Sequence, residues 1–384
     1  MEKIIKLSGR IDSTNASKTE EDILKELDGF TGCIIIDLEN LEYISSAGLR
    51  VILKIKKLNK DTSIINCNSK IYNIMEMTGF TEMMNISKTL RKISVDGCPV
   101  IGNGSNGTVY RFDPETIVKV YNSRNSLEMI KEERELAKKA FVKGIPTAIP
   151  YDIVRVGNSY GSVFEMLNAK SFADLINEGE DLEKLIKDSV DLMKKFHSIK
   201  LNKNELPSKK NQQINKVKRC EEILPKDVGE KLLKLIEDIP EHNYMLHSDF
   251  QVKNILKQNG DILLIDMDTL SEGHPIFEFS AIYATYKGYS CLSKNNPSKF
   301  LGITTNQCEK ISDLSFNYYF KGKTEDEIRE IEKKAKIIAY LQVMYSQLNR
   351  LKDDKFDRRN AIEFCKNYII DNIDKVDNLY FDLE

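Results

Sequence analysis

The sequence lacks a Cys-x-x-Cys pair, and its seven cysteines are odd in number and scattered over 384 residues. A disulfide framework and a structural zinc site both need paired or closely spaced cysteines, so neither is expected. The thiols are predicted to be free and to pack as small apolar side chains. Tryptophan is also absent, which excludes no function.

No uninterrupted apolar stretch is long enough to span a bilayer, and the opening residues Met-Glu-Lys-Ile-Ile-Lys lack the apolar region of a signal peptide. Neither sign of charge is in large excess, because 57 Lys and Arg against 59 Asp and Glu give a formal net charge of −2. A nucleic-acid-binding domain would usually be basic. We therefore expect a cytoplasmic protein that binds neither nucleic acid nor membrane.

The residues that are present indicate a folded protein of two or three domains, with 41% hydrophobic and 30% charged side chains. In the first part, a β-branched run at residues 33–38 predicts a buried strand. Ser45 and Ser46 precede an amphipathic helical pattern. Strands that alternate with helices predict an α/β domain with a parallel or mixed sheet.

The pattern changes after about Lys92. Residues 93–121 contain short strand-like runs broken by glycine, asparagine and Asp-Pro, which predict hairpins. From Ser171 onward the pattern is mainly helical. The predicted organisation is an α/β domain over residues 1–93, a β-rich lobe over 94–167 and a helical lobe over 168–384.

Three glycines, Gly102, Gly104 and Gly107, form a Gly-x-Gly-x-x-Gly pattern. A dinucleotide site would need a helix directly after such glycines, but here a strand continues, turns and returns. The pattern therefore predicts a hairpin whose backbone N–H groups cover nucleotide phosphates. Side chains at these positions would hold the phosphates away.

Lys119 lies in the apolar strand that returns from this hairpin. We predict that it holds the α- and β-phosphates of ATP, and such a lysine needs a carboxylate from the next helix. Glu132, Glu133 and Glu135 are candidates. Glu132 and Glu135 share a helix face, and Glu135 is our preferred partner, with Glu132 left open.

The segment from His247 to Leu256 carries the strongest chemical signal. Asp249 and Asn254 lie five residues apart before a short strand and can face one centre. We predict that Asp249 accepts the proton of an attacking hydroxyl and that Asn254 holds a metal ion. Asp266, at the end of an apolar strand, supplies the carboxylate that Mg²⁺ prefers, and Asp268 either supports it or caps a turn.

Residues 209–219 are mildly basic. This fits a solvated helical face or, alternatively, a site for an acidic ligand.

Taken in this order, the motifs resemble the aminoglycoside phosphotransferase and choline kinase-like branch of the protein-kinase-like superfamily. Its His-Gly-Asp-x-x-x-x-Asn motif appears as His247-Ser248-Asp249 through Asn254, followed by the metal aspartate. The resemblance covers about residues 94–384. It implies an α+β bilobal protein-kinase-like fold with ATP and Mg²⁺ as cofactors.

Two residues depart from the family pattern: Ser248 replaces a glycine, and Glu278 stands where an aspartate often occurs. Ser248 is expected to tighten the turn before Asp249. Neither departure removes a reacting group, so we expect an active kinase. The run from Phe164 to Leu167 is predicted to form the hinge between the lobes, with the backbone of Glu165 and Leu167 binding adenine.

The first 93 residues resemble a STAS domain of the anti-sigma-factor-antagonist type. The resemblance rests on the turn at residues 9–12, the segment 37–49 and the late turn at 77–80. It implies that Ser46 is a phosphoacceptor, although Ser45 stands where many members carry aspartate. Phosphate at Ser46 would lie at a helix N-terminus, where negative charge is favourable.

Two functions remain open from the sequence. In the first, the kinase transfers the γ-phosphate of ATP to a hydroxyl of an unidentified, small-molecule acceptor, and the STAS domain regulates it through a protein partner. In the second, the chain is a signalling protein that phosphorylates a protein serine or uses nucleotide binding as a switch. The intact reacting groups argue against an inert pseudokinase but do not identify the acceptor or the oligomeric state.

Overall fold

The computed structural model describes residues 2–104, 106–350 and 358–383. Their contacts divide the chain into two compact units. The first unit consists of Met1–Asp96 and Ile153–Gly161, and the second consists of Gly97–Asp152 and Ser162–Glu384. Ser105, at the tip of the glycine-rich motif, lies outside the described residues.

The first unit contains a parallel four-stranded sheet with helices between its strands. In chain order its elements are β1 (Glu2–Ile11), α1 (Ala16–Glu26), β2 (Cys33–Ile44), α2 (Ser46–Leu58), β3 (Thr62–Cys67), α3 (Ser69–Met77), α4 (Phe80–Met83) and β4 (Ile86–Lys88). The sheet order is β1-β2-β3-β4, and each neighbouring pair is parallel. The predicted α/β architecture is confirmed.

The middle strand β2 is the centre of this unit's core. Ile34, Ile36 and Leu38 are each at most 2% exposed. Burial of such a β-branched run is what a parallel sheet covered by crossover helices requires. Ile52 and Ile55 of α2 pack into the same core, as the spacing of apolar residues in that helix predicts.

Residues 91–165 contain six strands and one helix, which are β5 (Arg91–Ile93), β6 (Val100–Asn103), β7 (Gly107–Arg111), β8 (Thr116–Tyr121), α5 (Leu127–Val142), β9 (Pro150–Val156) and β10 (Ser159–Glu165). The strands β6, β7 and β8 form an antiparallel meander, as the hairpin prediction requires. Within the first unit, β5 pairs in parallel with β9, with Arg91 opposite Val154. The domain boundary at residue 93 stays a prediction.

The rest of the chain is mainly helical. Its regular elements are β11 (Lys170–Ser171), α6 (Phe172–Asn177), α7 (Leu182–His197), α8 (Lys209–Cys220), α9 (Lys226–Glu237), β12 (Met245–Leu246), β13 (Ile255–Gln258), β14 (Asp261–Leu264), β15 (Ser271–Glu272), α10 (Ile276–Tyr286), α11 (Asn296–Leu301), α12 (Thr305–Tyr319), α13 (Glu325–Leu348) and α14 (Arg358–Asn372). Short 3₁₀ turns lie at Met267–Thr269, Gly288–Cys291 and Ile373–Lys375. Two small antiparallel sheets, β11-β13-β14 and β12-β15, carry the loops of the candidate site.

Helix α10 is the hub of the helical part, because nearly all of its side chains are buried. Phe279 packs against the rings of Phe316, Tyr319 and Phe320, with centroid separations of 4.7–4.8 Å. A helix that is apolar all round has to be enclosed by its neighbours. In the described parts of the chain, no helix combines the length and the apolar character needed to cross a membrane.

The first prediction concerns Gly48 in α2. A Cβ on this residue would lie 2.7 Å from Ile44 Cγ1 and 2.8 Å from Ile11 Cγ2, both in the buried core. We expect Gly48→Ala to destabilise the first unit by about 1–3 kcal/mol, although alanine is the better helix former. Urea unfolding of the full chain measures this. Ser46→Ala, two residues earlier and exposed, is the matched control, and equal stability of the two variants would contradict the packing argument.

Candidate active site

Lys119 of β8 connects three segments of the second unit. Its ammonium donates to Glu133 Oε1 of α5 at 2.7 Å and to Asp266 Oδ1 at 3.0 Å. Burial alone would lower the pKa of Lys119, but the charges of Asp266 and Glu133 raise it above its ordinary value. The lysine is therefore held charged, at a fixed point between a strand, a helix and a loop.

The preferred partner in the sequence analysis, Glu135, is wrong, and the alternative Glu132 is also exposed on α5. The side chain of Glu135 is 53% exposed and pairs with Arg134 and Lys138 instead. The reason is the phase of the helix: the buried residues of α5 are Ile130, Glu133, Ala137 and Ala140. Glu133 is the acidic residue in that stripe, and the stripe was the signal in the sequence that could have identified it.

The glycine-rich segment forms the hairpin between β6 and β7. The Gly104 N–H donates to the Gly107 carbonyl at 2.9 Å, which closes the described part of the turn. Gly102 lies opposite Val109 in the same ladder. Gly107 also has a structural role that no sequence motif indicates, because an added Cβ would lie 2.1 Å from the carbonyl oxygen of Val120 in β8.

Asp249 and Asn254 contact each other directly in the loop between β12 and β13. The Asn254 side-chain amide donates to Asp249 Oδ2 at 2.8 Å and to the Asp249 carbonyl at 3.0 Å. The Ile265 N–H donates to the Asn254 carbonyl at 2.9 Å, which ties this loop to the end of β14. The loop therefore presents a carboxylate whose orientation is set by its neighbour.

The backbone before Asp249 turns through Ser248, which has φ 67°. This is the left-handed region, where glycine is preferred and where the related family carries glycine. The N–H groups of His247 and Ser248 both donate to the buried carboxylate of Glu278, at 2.8–3.1 Å. The Ser248 hydroxyl also lies 3.0 Å from that of Ser271. These bonds hold a serine in a conformation that it would otherwise disfavour.

Glu278 remains ionised although it is fully buried. Burial acts to raise its pKa, but the neighbouring His197 and His247 and the N–H of Ser248 outweigh burial and hold the pKa below its usual value. Glu278 is therefore a fixed anion under the loop, and the departure from aspartate keeps the carboxylate that the turn needs.

The aspartates after β14 also lie in this site. Asp266 has φ 65°, and Asp268 Oδ2 accepts from the Asn106 side chain at 2.9 Å, which links it to the glycine-rich hairpin. Burial, followed by the charge of Asp266, raises the pKa of Asp268 to about 8. Burial also raises the pKa of Asp249, with His247 opposing and Asp266 adding to the shift. Carboxylates that raise one another's pKa favour a cation among them.

The predicted hinge follows β10, which ends at Glu165. The Glu165 N–H donates to the Ile149 carbonyl at 3.0 Å, and the Met166 N–H donates to the Glu115 carbonyl at 2.7 Å. Leu167 follows directly and is half-buried. The role of Glu165 and Leu167 in binding adenine stays a prediction.

Ser46 lies in the first unit and is the first residue of α2. Its neighbour Ser45 is the N-cap, and the Ser45 Oγ accepts from the Ala47 N–H at 3.2 Å. Ser46 itself is exposed at the helix N-terminus. Its phosphorylation stays a prediction.

The glycine hairpin, the lysine bridged to a helix and a loop, and the Asp–Asn pair define the second unit as a protein-kinase-like fold. Residues 97–291 match the family model of the phosphotransferase enzyme family, which spans half of the chain. The chain belongs to this family. Residues 2–93 match the STAS domain model, so the chain also carries a STAS domain.

Individual proteins show the same two resemblances. A Bordetella bronchiseptica protein assigned as the anti-sigma factor antagonist BtrV is 30% identical over 87 residues, which are 22% of this chain and 75% of that protein. Among solved structures, a choline/ethanolamine kinase family protein from Mesorhizobium loti has a TM-score of 0.48 and 14% identity, over 73% of this chain and 88% of that one. The ADP-bound aminoglycoside phosphotransferase APH(2'')-Ib has a TM-score of 0.46 and 16% identity, over 80% of this chain and 99% of that one.

The second prediction separates two glycines of the hairpin. We expect Gly107→Ala to lower the stability of the second unit by about 1–3 kcal/mol, because its Cβ would meet the backbone of Val120, which cannot move away without breaking the ladder. Gly104→Ala is the control, since its nearest new neighbour is the Gly107 carbonyl at 3.9 Å. Thermal unfolding measures both variants. An unchanged melting temperature in Gly107→Ala would refute the close approach.

Proposed function

We propose that this protein is an ATP- and Mg²⁺-dependent phosphotransferase that moves the γ-phosphate to a hydroxyl of an unidentified small-molecule acceptor, and that its STAS domain regulates this activity. The observation that carries the proposal is the bridge from Lys119 to both Glu133 and Asp266. A buried lysine paired with a helix glutamate and a loop aspartate is the arrangement used to hold nucleotide phosphates.

ATP would bind beneath the glycine-rich hairpin. The backbone of Gly102, Gly104 and Gly107 would cover its phosphates, and Lys119 would hold the α- and β-phosphates through its charge. The backbone of Glu165 and Leu167 would bind the adenine. Lys119 is already oriented by two carboxylates, so little ordering remains to be done when the nucleotide binds.

The donor set around Asp266 fits magnesium. The Asn254 amide nitrogen is committed to Asp249, which leaves the amide oxygen as its ligating atom. Asn254 and Asp266 then offer two hard oxygen donors, and magnesium usually completes its shell with phosphate oxygens and water. Among the described residues, no three His, Cys, Asp or Glu side chains cluster as a metal site. Bound there, magnesium would neutralise charge on the phosphates.

Asp249 is the group that would act on the acceptor. Its raised pKa, caused mainly by burial, makes it a stronger base than an ordinary aspartate. Asn254 fixes the orientation of the carboxylate so that one oxygen can accept the hydroxyl proton. The acceptor oxygen then bonds to the γ-phosphorus as the bond from that phosphorus to ADP breaks.

The third prediction is that Asp249→Ala lowers phosphate transfer from labelled ATP by about 10²- to 10⁴-fold, the usual contribution of a general base. Nucleotide binding should persist, because Asp249 does not contact Lys119. The assay uses the purified 384-residue chain, magnesium and a panel of hydroxyl compounds. Asp261→Ala, an exposed aspartate at the start of β14, is the control. Normal transfer by Asp249→Ala would refute the assignment.

The fourth prediction separates two glutamates on the same helix. Glu133→Gln removes a charge from the Lys119 bridge, so we expect transfer to fall by at least about tenfold, as for loss of one charge-assisted hydrogen bond. Glu135→Gln removes only a surface charge and should leave transfer unchanged. Steady-state kinetics over a range of ATP concentrations measure both. A loss of transfer in Glu135→Gln but not in Glu133→Gln would instead make Glu135 the partner of Lys119.

A signalling function is the second candidate. The match of residues 2–93 to the STAS domain model and the exposure of Ser46 at a helix N-terminus favour it. The same labelled-ATP assay distinguishes the two, because label on a small molecule supports a metabolite kinase. Label confined to the protein, and lost in Ser46→Ala, would support phosphorylation of a STAS serine through a regulatory protein partner or the chain itself.

A further inference from the structure

Helix α8 carries three polar side chains on one face, of which two are buried and the third, Lys216, is half-buried. Lys209, Gln213 and Lys216 are spaced four and three residues apart, so they lie on successive turns of the same side of the helix. Lys209 is only 6% exposed and Gln213 is 0% exposed. The basic stretch found in the sequence is therefore not a solvated face at these positions.

This face begins beside the loop that carries Asp249. The Glu272 N–H donates to the Pro207 carbonyl at 2.9 Å, which joins the start of α8 to strand β15. A Cβ added to Gly273 would lie 3.3 Å from the Cβ of Lys209. The neighbouring Ser271 hydroxyl contacts Ser248, the residue before Asp249. Lys209 therefore lies beside the loop that carries Asp249, the predicted catalytic residue.

The polar atoms on this face have no partner among the described residues. Neither lysine forms an ion pair or a hydrogen bond there, and Lys216 only faces the ring of Tyr345 at 5.9 Å. The amide oxygen and the amide nitrogen of Gln213 are both buried without a hydrogen-bond partner. Buried polar groups in native proteins are nearly always satisfied, so the unpaired Gln213 amide points to a ligand that binds on this face.

The electrostatics show which sign of charge that ligand would have. Burial lowers the pKa of Lys209 to about 8, although Glu278, Asp249 and Asp268 act in the opposite direction. Burial and then the charge of Lys209 lower the pKa of Lys216 to about 7. The positive charges of buried Lys209 and half-buried Lys216 are thus disfavoured by burial and, at Lys216, by the neighbouring lysine. An anion would compensate them, whereas an amine would add to the repulsion.

We propose that Lys209, Gln213 and Lys216 bind an anionic group, a phosphate or a carboxylate, on the acceptor whose hydroxyl is phosphorylated. The inference rests on the proposed function and adds the substrate class to it. The two lysines would neutralise the anion, and the Gln213 amide would donate to it. The anionic group is unchanged in the reaction: the acceptor oxygen gains the γ-phosphate, ADP leaves, and the proton goes to Asp249.

The binding test uses inorganic phosphate and glycerate as probes, titrated calorimetrically into the full chain with ADP present. We expect saturable binding of at least one probe, weakened by at least about tenfold in Lys209→Met and in Lys216→Met, as for loss of a charge-assisted hydrogen bond. Lys218→Met, on the exposed side of the same helix, is the control. Absence of binding, or binding that Lys209→Met and Lys216→Met both leave unchanged, would overturn the inference.

Thermal unfolding without added anion supplies an independent measurement. If the two lysines form an anion-binding site, Lys209→Met and Lys216→Met should each raise the melting temperature in the absence of anion. Each substitution replaces an uncompensated charge with an apolar side chain of similar length. If Lys209 instead serves to balance Glu278 and the aspartates, Lys209→Met should lower it. A lower melting temperature in both variants would count against the anion site.

Phosphate transfer to matched three-carbon compounds completes the test. Glycerate and glycerol 3-phosphate should be better acceptors than glycerol, and the amine serinol should be the poorest. Preference for serinol or glycerol would overturn the proposed substrate class while leaving the kinase assignment intact. If the kinase assignment itself is wrong, the unmodified protein should bind phosphate but not ATP.

Discussion

The ion-pair bridge of Lys119 is the constraint on which the candidate site depends. One ammonium group joins β8 to Glu133 of α5 and to Asp266 after β14, segments that are far apart in sequence. Removing one partner of such a pair is destabilising, because the remaining charge is left uncompensated in a partly buried site. The bridge therefore sets the positions of the strand, the helix and Asp266 relative to one another, and the phosphates of a nucleotide would meet a lysine that is already in place.

A second buried anion supports the other half of the site. Glu278 extends from the apolar helix α10 and accepts the N–H groups of His247 and Ser248. These bonds satisfy backbone donors that the left-handed turn at Ser248 takes out of regular structure. The aromatic packing around Phe279 fixes α10. The carboxylate of Glu278, on the same helix, therefore holds the turn before Asp249 in place. The loop that carries Asp249 is thus ordered by its hydrogen bonds to Glu278 and by Asn254 within it.

The charges of the second unit are arranged in two opposed sets. Asp249, Asp266 and Asp268 form an acidic set that favours cations, while Lys209 and Lys216 on α8 form a basic set without partners among the described residues. A phosphotransferase needs cationic charge around the phosphates that it moves. Lys209 and Lys216 lie on a different element from Lys119. We therefore relate them to the acceptor and not to the nucleotide.

The sequence by itself determined the architecture and placed the candidate site residues in local motifs. Strand and helix periodicity predicted the α/β domain, the β-rich lobe and the helical lobe, and the order of the motifs predicted the roles of Lys119, Asp249, Asn254 and Asp266, because glycine turns and short Asp–Asn spacings are set by neighbouring residues. Only the tertiary structure decided which glutamate meets Lys119, why Gly107 must lack a side chain, and that Lys209 and Gln213 are buried. Each of these depends on which surfaces pack together once the elements have formed: Glu133 meets a lysine on a strand, Gly107 meets the backbone of the next strand, and α8 is covered by other helices, and such contacts exist only in the folded chain.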